Sequence, residues 1–423
     1  MKTWAEFREH LRMRSPLPGA WSPLRFLGPG MLVAIGFIDP GNWASNVAAG
    51  AGFGYQLLWV VTLSTVMLIL LQHNAAHLGI VTGLCLAESA TEHLPSWISR
   101  PALASAVLAA IATAFAEIMG GAIALGMLFH LPLKLGACLT ALVVGGLLFL
   151  NSYGRIEKLI VGFVSLIGLG FLFELLLVNT HWNAALVGWV KPSLPSGSMA
   201  IVMSVLGAVV MPHNLFLHSE FIQSRKWNLQ GDEAIRHHLR FEFFDTLFSM
   251  IVGWAINSAM ILLAAATFFQ HRVPVDSLEK AEAMLRPIVG PAAAVVFALA
   301  LLCAGVASSI TAGMAGGSIF TGFFGRTYDI RDRHTKAGLL VTLLPALVAV
   351  FFITDSFKAL LLSQVLLSIQ LPITILLQLS LTSSRKVMGD YANAGLEKFL
   401  LWTTAVVVIF LNLLLLKSMA LGG

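Results

Sequence analysis

Stretches of about twenty apolar residues, each long enough to cross a bilayer as a helix, follow one another along nearly the whole of this chain. They run roughly over 28–52, 55–80, 101–127, 131–150, 156–178, 197–225, 241–269, 290–324, 336–353, 357–381 and 396–417, and the eighth is long enough to include turns outside the membrane. The chain is 57% hydrophobic and 11% charged, under half the usual charge of a soluble domain, so a soluble fold is excluded. In lipid every backbone polar group needs an internal partner, which turns such spans into helices. The expected class is an all-α polytopic membrane protein.

The basic residues set the orientation. With the N-terminus inside, nineteen Lys and Arg fall on the inner side against seven outside, the bias that keeps a terminus cytoplasmic. An odd number of spans then leaves the C-terminus outside. The net charge of +5 reflects this bias rather than nucleic-acid binding, because the basic residues are scattered over short loops. Residues 1–25 interleave Arg8, Arg12 and Arg14 with Trp4, Phe7 and Leu11 and lack a cleavage site, so they read as an amphipathic helix on the inner membrane surface. Cys85, Cys138 and Cys303 have no metal or disulfide spacing.

Two spans are interrupted. Ile38-Asp39-Pro40-Gly41-Asn42 places a carboxylate, a helix breaker and a carboxamide in the middle of the first. Met211-Pro212-His213-Asn214 repeats the construction inside the sixth. Proline has no N–H to give and clashes one turn back, so each helix unwinds and frees carbonyls. At membrane depth such a break survives where it lines a cavity or is buried in protein, and breaks at matching places in two halves mark a transporter's central site. Each broken span opens a set of five. The sets have opposite topology, predicting an inverted repeat of 28–178 and 197–381 followed by an eleventh helix, 396–417. The connecting loops are too short for a second domain.

Facing one another near the midplane, the breaks offer the Asp39 carboxylate, the Asn42 amide oxygen, the freed carbonyl of Ala208 and the Met211 thioether. Oxygen donors alone suit hard cations, whereas a soft sulfur shifts preference toward Mn2+, Fe2+ and softer ions. The plainer reading of Met211 is a flexible gap-filler. His213 and His218 lie on the half-helix after the second break, but their five-residue interval lacks the His-Glu-x-x-His geometry of a hydrolytic zinc site, so no enzyme is expected. His213 is suited to carrying or sensing protons beside the site; hydrogen bonding to a freed carbonyl is the simpler alternative. Glu117, with no basic residue within a helical turn, is a functional candidate by virtue of its depth. Glu174 and Asp245 lie nearer span ends and read as structural.

At these residues the sequence resembles the NRAMP family of divalent metal transporters, whose paired signatures stand here as Asp39-Pro40-Gly41-Asn42 and Met211-Pro212-His213-Asn214. Gly28-Pro29-Gly30, Leu78-Gly79-Ile80-Val81-Thr82-Gly83, Ala264-Ala265-Ala266-Thr267-Phe268 and Gln370-Leu371-Pro372 extend the likeness over nearly the whole chain. The resemblance implies a LeuT-like 5+5 inverted repeat plus one helix, with helices 1 and 6 broken at the midplane, working by alternating access. It implies metal ligands at Asp39, Asn42, Met211 and the Ala208 carbonyl, joined in some states by the Gly36 carbonyl or Gln364. It further implies import of Mn2+ or Fe2+ across a bacterial inner membrane, protons moving by Asp39, Glu117, His213 and His218, and no cofactor or obligate protein partner.

The chain departs from the family's pattern at the proton route. Ala114 stands where an acid three residues before Glu117 is usual, and Gly338 and Leu339 stand ahead of Pro345 where arginines are usual. Weak, rerouted or absent coupling is the expectation. Two other transporter readings fit less well. A Na+/amino acid symporter would place small residues at the first break, where Asp39 repels a carboxylate, and a Mg2+ carrier would lack the Met211 thioether.

Overall fold

The computed structural model describes residue 36 and residues 38–150 and 153–420. The expected surface helix over 1–25, the Gly28-Pro29-Gly30 match and the first half of span one lie outside the described residues.

The described residues are helical almost throughout, as a chain with so few side chains able to pair with exposed backbone must be. The helices are α1 (Pro40–Phe53), α2 (Leu58–Thr82), α3 (Leu86–His93), α4 (Ser96–Phe129), α5 (Leu133–Leu150), α6 (Tyr153–Leu176), α7 (Trp182–Val190), α8 (Met199–Val209), α9 (Pro212–Gln223) and α10 (Asp232–Ala264). They continue as α11 (Leu278–Ile288), α12 (Pro291–Phe323), α13 (Arg333–Val350), α14 (Ser356–Thr382) and α15 (Gly395–Ala420). Among the described residues nine helices are long and apolar enough to cross a membrane, with α8 and α9 counted together, and the helix over Leu133–Phe149 is a shorter apolar one. Large apolar side chains such as Leu142, Leu169, Phe244 and Phe352 are exposed on the outside, as a lipid-facing surface requires.

The eighth span is a single helix: α12 runs unbroken over 33 residues, about 50 Å at about 1.5 Å per residue and so longer than a hydrocarbon core of about 30 Å. One sequence expectation is corrected. The seventh helix begins at Asp232, well before 241, with Asp232 and Glu233 in its first turn, where acids favour a helix start. It ends in a π turn over Ala265–Phe269. The remaining loops are also partly helical, carrying α3, α7 and α11.

With lipid on one side and protein on the other, helix association depends on close packing and interhelical hydrogen bonds. The central pair is α4 and α12. A Cβ on Gly305 would fall 2.6 Å from the Gly121 nitrogen and 3.1 Å from the Glu117 carbonyl, so the two backbones touch. α13 approaches in the same way, since a Cβ on Gly338 would lie 2.8 Å from the Phe320 Cβ and 3.0 Å from the Gly317 Cα. Here Gly338 is an approach point between helices. Hydrogen bonds join the other elements: Gln378 on α14 donates to the Asn74 side chain (2.9 Å) and the Leu71 carbonyl (2.8 Å) of α2, and Asn46 on α1 donates to Asn257 on α10 (2.5 Å).

Candidate metal site

α8 stops at Val209 and α9 starts at Pro212, leaving Val210 and Met211 outside both helices. Met211 is the N-cap of α9 in extended backbone, with Pro212 in the first turn, where its missing N–H costs nothing. α1 starts in the same manner. Asp39 is its N-cap and Pro40 follows, and the Asp39 Oδ1 accepts from the Asn42 backbone N–H at 2.7 Å.

The two starts meet through Asn42. Its Nδ2 donates to Asp39 Oδ1 at 2.6 Å and to the Ala208 carbonyl at 2.7 Å. Ala208 lies in the last turn of α8, where carbonyls lose their helical partners, so the break supplies an acceptor and the opposite half supplies its donor. In this arrangement neither the Asn42 Oδ1 nor the Asp39 Oδ2 has a hydrogen-bond partner among the described residues. Gln364 of α14 lies over Gly41, where a Cβ would fall 1.8 Å from its Nε2, and its Oε1 is likewise without a partner. Asp39, Asn42, Ala208 and Gln364 are all fully buried. Buried polar oxygens without donors are costly, and a group of them on converging helix ends is what a cation would satisfy.

Glu117 completes the acidic part. Gly120, one turn along α4, is pressed against Pro40, where a Cβ would fall 2.1 Å from the proline Cβ. This contact brings the Glu117 carboxyl within hydrogen-bonding reach of the Asp39 carboxyl. Two carboxylates are both acceptors, so they satisfy each other only through a shared proton or an intervening cation. Ser308 of α12 donates to the Glu117 Oε2, and the Glu117 Oε1 is left without a donor.

The other residues singled out from sequence are distributed around this centre. Met211 is buried, packs with Ala109 and Leu367, and has its sulfur 3.7 Å from the Asn214 Nδ2. The same Asn214 amide covers Gly36, where a Cβ would fall 1.9 Å from it. The His213 Nδ1 is 3.1 Å from the Thr113 Oγ1 rather than on a freed carbonyl. Thr113 also donates to the Ala109 carbonyl at 3.0 Å, so its oxygen accepts from His213 Nδ1–H. His218 is in a separate network: its Nδ1 is 2.7 Å from the Gln72 Oε1 and its Nε2 is 3.6 Å from Glu242, which also pairs with His73 at 2.5 Å. Ala114 and Leu339 are buried.

Thr113, Gln72, Glu242 and Ser308 were not identified from sequence, and Asn214 stood there only as the last residue of the second signature. Thr113 had a signal, since it sits one turn before Glu117 and shares its helix face. Ser308 had none, because it lies in a span of small residues whose facing partner only packing decides.

Residues 30–418 match the family described as natural resistance-associated macrophage protein-like. The divalent metal cation transporter MntH of Caldanaerobacter subterraneus subsp. tengcongensis is 37% identical over 397 residues, covering 93% of each chain. The protein of the same description from Acidiphilium cryptum is 38% identical over 399 residues, covering 93% of this chain and 90% of its own. A mutant of the manganese transporter of Eremococcus coleocola superposes with a TM-score of 0.77 at 30% identity, covering 95% of this chain and 89% of that one. Mhp1, a nucleobase-cation-symport-1 family transporter in a closed conformation, superposes at 0.63 with 15% identity over 93% and 92% of the two chains. The last likeness is one of fold alone, the LeuT-like arrangement.

Proposed function

Because this chain belongs to the natural resistance-associated macrophage protein-like family, we propose that it imports divalent transition-metal ions, Mn2+ or Fe2+, by alternating access. Neither alternative transporter reading is favoured by its relatives. The membrane is a bacterial inner membrane, with the N-terminus cytoplasmic and the C-terminus outside. The working unit is two inverted repeats over 28–178 and 197–381, with 396–417 added. The observation that carries the reading is the convergence of unpartnered oxygens of Asp39, Asn42 and Gln364 on the start of α1. The ion takes the place of the missing donors, with the Ala208 carbonyl and the Met211 sulfur within one turn of each other on the opposing break. One formal carboxylate against a divalent ion leaves positive charge, which Glu117 beside Asp39 offsets by giving up a shared proton.

The thioether sets selectivity. Met211→Ala is expected to keep part of the Mn2+ uptake while Ca2+ and Mg2+ become effective competitors, because an all-oxygen site no longer discounts hard ions. Competition assays on proteoliposomes that show unchanged selectivity would remove sulfur from the ligand set.

Protons follow a reduced route. His213 and Glu117 are present on facing helices, but α13 meets α4 and α12 through apolar and small residues, with Leu339 and Ala114 in place of charges. Metal uptake is therefore expected to respond weakly to an imposed pH gradient, and His213→Ala is expected to change pH dependence more than metal affinity. The check is Mn2+ uptake into vesicles carrying a pH-sensitive dye, with Mg2+ in large excess. Strong metal-evoked acidification of the lumen would show that coupling needs no charge at positions 114 and 339.

A further inference from the structure

The central site is not the only place where metal-ligating atoms are gathered. Cys85 Sγ, a Glu88 carboxylate oxygen and a Glu220 carboxylate oxygen all lie within 4.8 Å of one another, and all three residues are buried. The cluster joins two helices: Cys85 caps α3, Glu88 is in its first turn, and Glu220 projects from α9. Glu220 is nine residues beyond Met211, or about 14 Å along the helix, so this is a different place from the central site.

The local hydrogen bonds hold the cluster with open coordination positions. The Glu88 Oε2 accepts from the Gln223 Nε2 at 2.6 Å and from the Cys85 N–H at 3.3 Å. These bonds fix the carboxylate and leave its Oε1 without a partner; the Gln223 Oε1 is without one as well. Glu88 is 4% and Gln223 8% exposed, so water does not compensate either atom freely. Ser318 of α12 holds the Glu220 Oε2 at 2.9 Å. Glu88 and Glu220 are both acids, so ionised together they repel rather than neutralise one another. A cavity of about 730 Å³ reaches the α9 side of the cluster, lined by Glu220 and Gln223 together with Gly83, Lys226, Tyr328 and Asp329. These last four belong to loops or helix ends on the face of the basic residues, which the proposed orientation puts inside the cell.

We propose that Cys85, Glu88, Glu220 and the Gln223 amide oxygen form a second site that binds a thiophilic divalent cation at the inner mouth of the cavity. A tetrahedral ion with sulfur at about 2.3 Å and oxygen at about 2.0–2.2 Å spaces its ligands by roughly 3.3–3.7 Å, so side-chain movement of about an ångström closes the cluster. On binding, the S–H bond of Cys85 breaks, its proton leaves through the cavity, and the sulfur lone pair goes to the metal. Thiolate and one carboxylate balance the divalent charge, and the second carboxyl keeps a proton or a water. Sulfur selects Zn2+, Cd2+, Co2+ or Fe2+ over Mg2+ and Ca2+.

The test uses the full chain purified in detergent with Cys138→Ser, Cys303→Ser and Asp39→Ala, so that Cys85 is the remaining thiol and the central site is disabled. Titration with Co2+ is expected to give one equivalent bound with a near-ultraviolet sulfur-to-cobalt charge-transfer band. Adding Cys85→Ser, which keeps a capping oxygen for α3, should abolish the band, and Glu220→Gln should weaken binding about tenfold or more, one coordinating charge being worth at least about 1.4 kcal/mol. Absence of the band in a monodisperse parent, or its survival in the Cys85→Ser protein, would overturn the proposal. Since the central Asp39 is absent throughout, the result does not depend on whether the wild-type chain transports metal.

Discussion

Asp39→Ala and Asp39→Asn are both expected to reduce Mn2+ uptake into proteoliposomes to the level of empty vesicles, while the purified proteins stay monodisperse. The alanine removes the cap of α1 as well as the charge, and a lost N-cap costs about 1 kcal/mol. The asparagine separates these effects, because its side-chain oxygen still accepts the 2.7 Å bond from the Asn42 N–H. Its deficit combines the lost charge with the lost Oδ2 ligand, whose place an NH2 group takes, while the cap is kept. With Asp39 neutral, the remaining acid at the centre is Glu117, which is held from the other side by Ser308. A divalent ion facing neutral oxygens in a buried site is not stabilised enough to leave water. Half of wild-type uptake in the asparagine variant would show that the ion is held elsewhere.

The second large effect is steric. A Cβ on Gly207 would fall 2.0 Å from the Gln364 carbonyl oxygen and 2.9 Å from the Ser368 nitrogen, and both obstacles are backbone. No rotamer change relieves them, so Gly207→Ala must push α8 away from α14. Overpacking of this kind costs about 1–3 kcal/mol. The displacement also acts directly on the site, because Ala208 is the next residue and Gln364 is the one struck. A misplacement of about 1 Å can cost roughly a hundredfold in rate, so uptake should fall by at least about tenfold, with a lower unfolding temperature. Gly146→Ala is the control: nothing lies within 4 Å of a Cβ there, and alanine is the better helix residue. If both variants transported like wild type, the close contact of α8 with α14 would not be required for function.

Much of this molecule follows from composition and period alone. Spans of about twenty apolar residues have one stable outcome in lipid, and Pro40 and Pro212 dictate where two helices start. Hence α1 beginning at Pro40 and α8 ending before Met211 could be read from the chain, as could the family. The seventh span shows the limit of hydropathy. The apolar run begins near 241, but the helix begins at Asp232, because polar residues can extend a helix beyond the apolar stretch that betrays it.

What the sequence by itself determined is local: which segments are helices, that α1 starts at Pro40 and α8 gives way to α9 at Met211, and that an acid, an amide and a thioether stand at these points. What only the tertiary structure decided is which atoms are left without partners. Asn42 spends both amide hydrogens on Asp39 and Ala208, 166 residues away in the latter case, and this leaves its oxygen free for an ion. Gly120 against Pro40 brings Glu117 to Asp39, and the start of α3 places Cys85 beside Glu220 on a helix about a third of the chain away. Hydrogen-bond saturation depends on every donor within about 3.5 Å of an atom, and those donors come from helices whose order along the chain does not say which of them will touch.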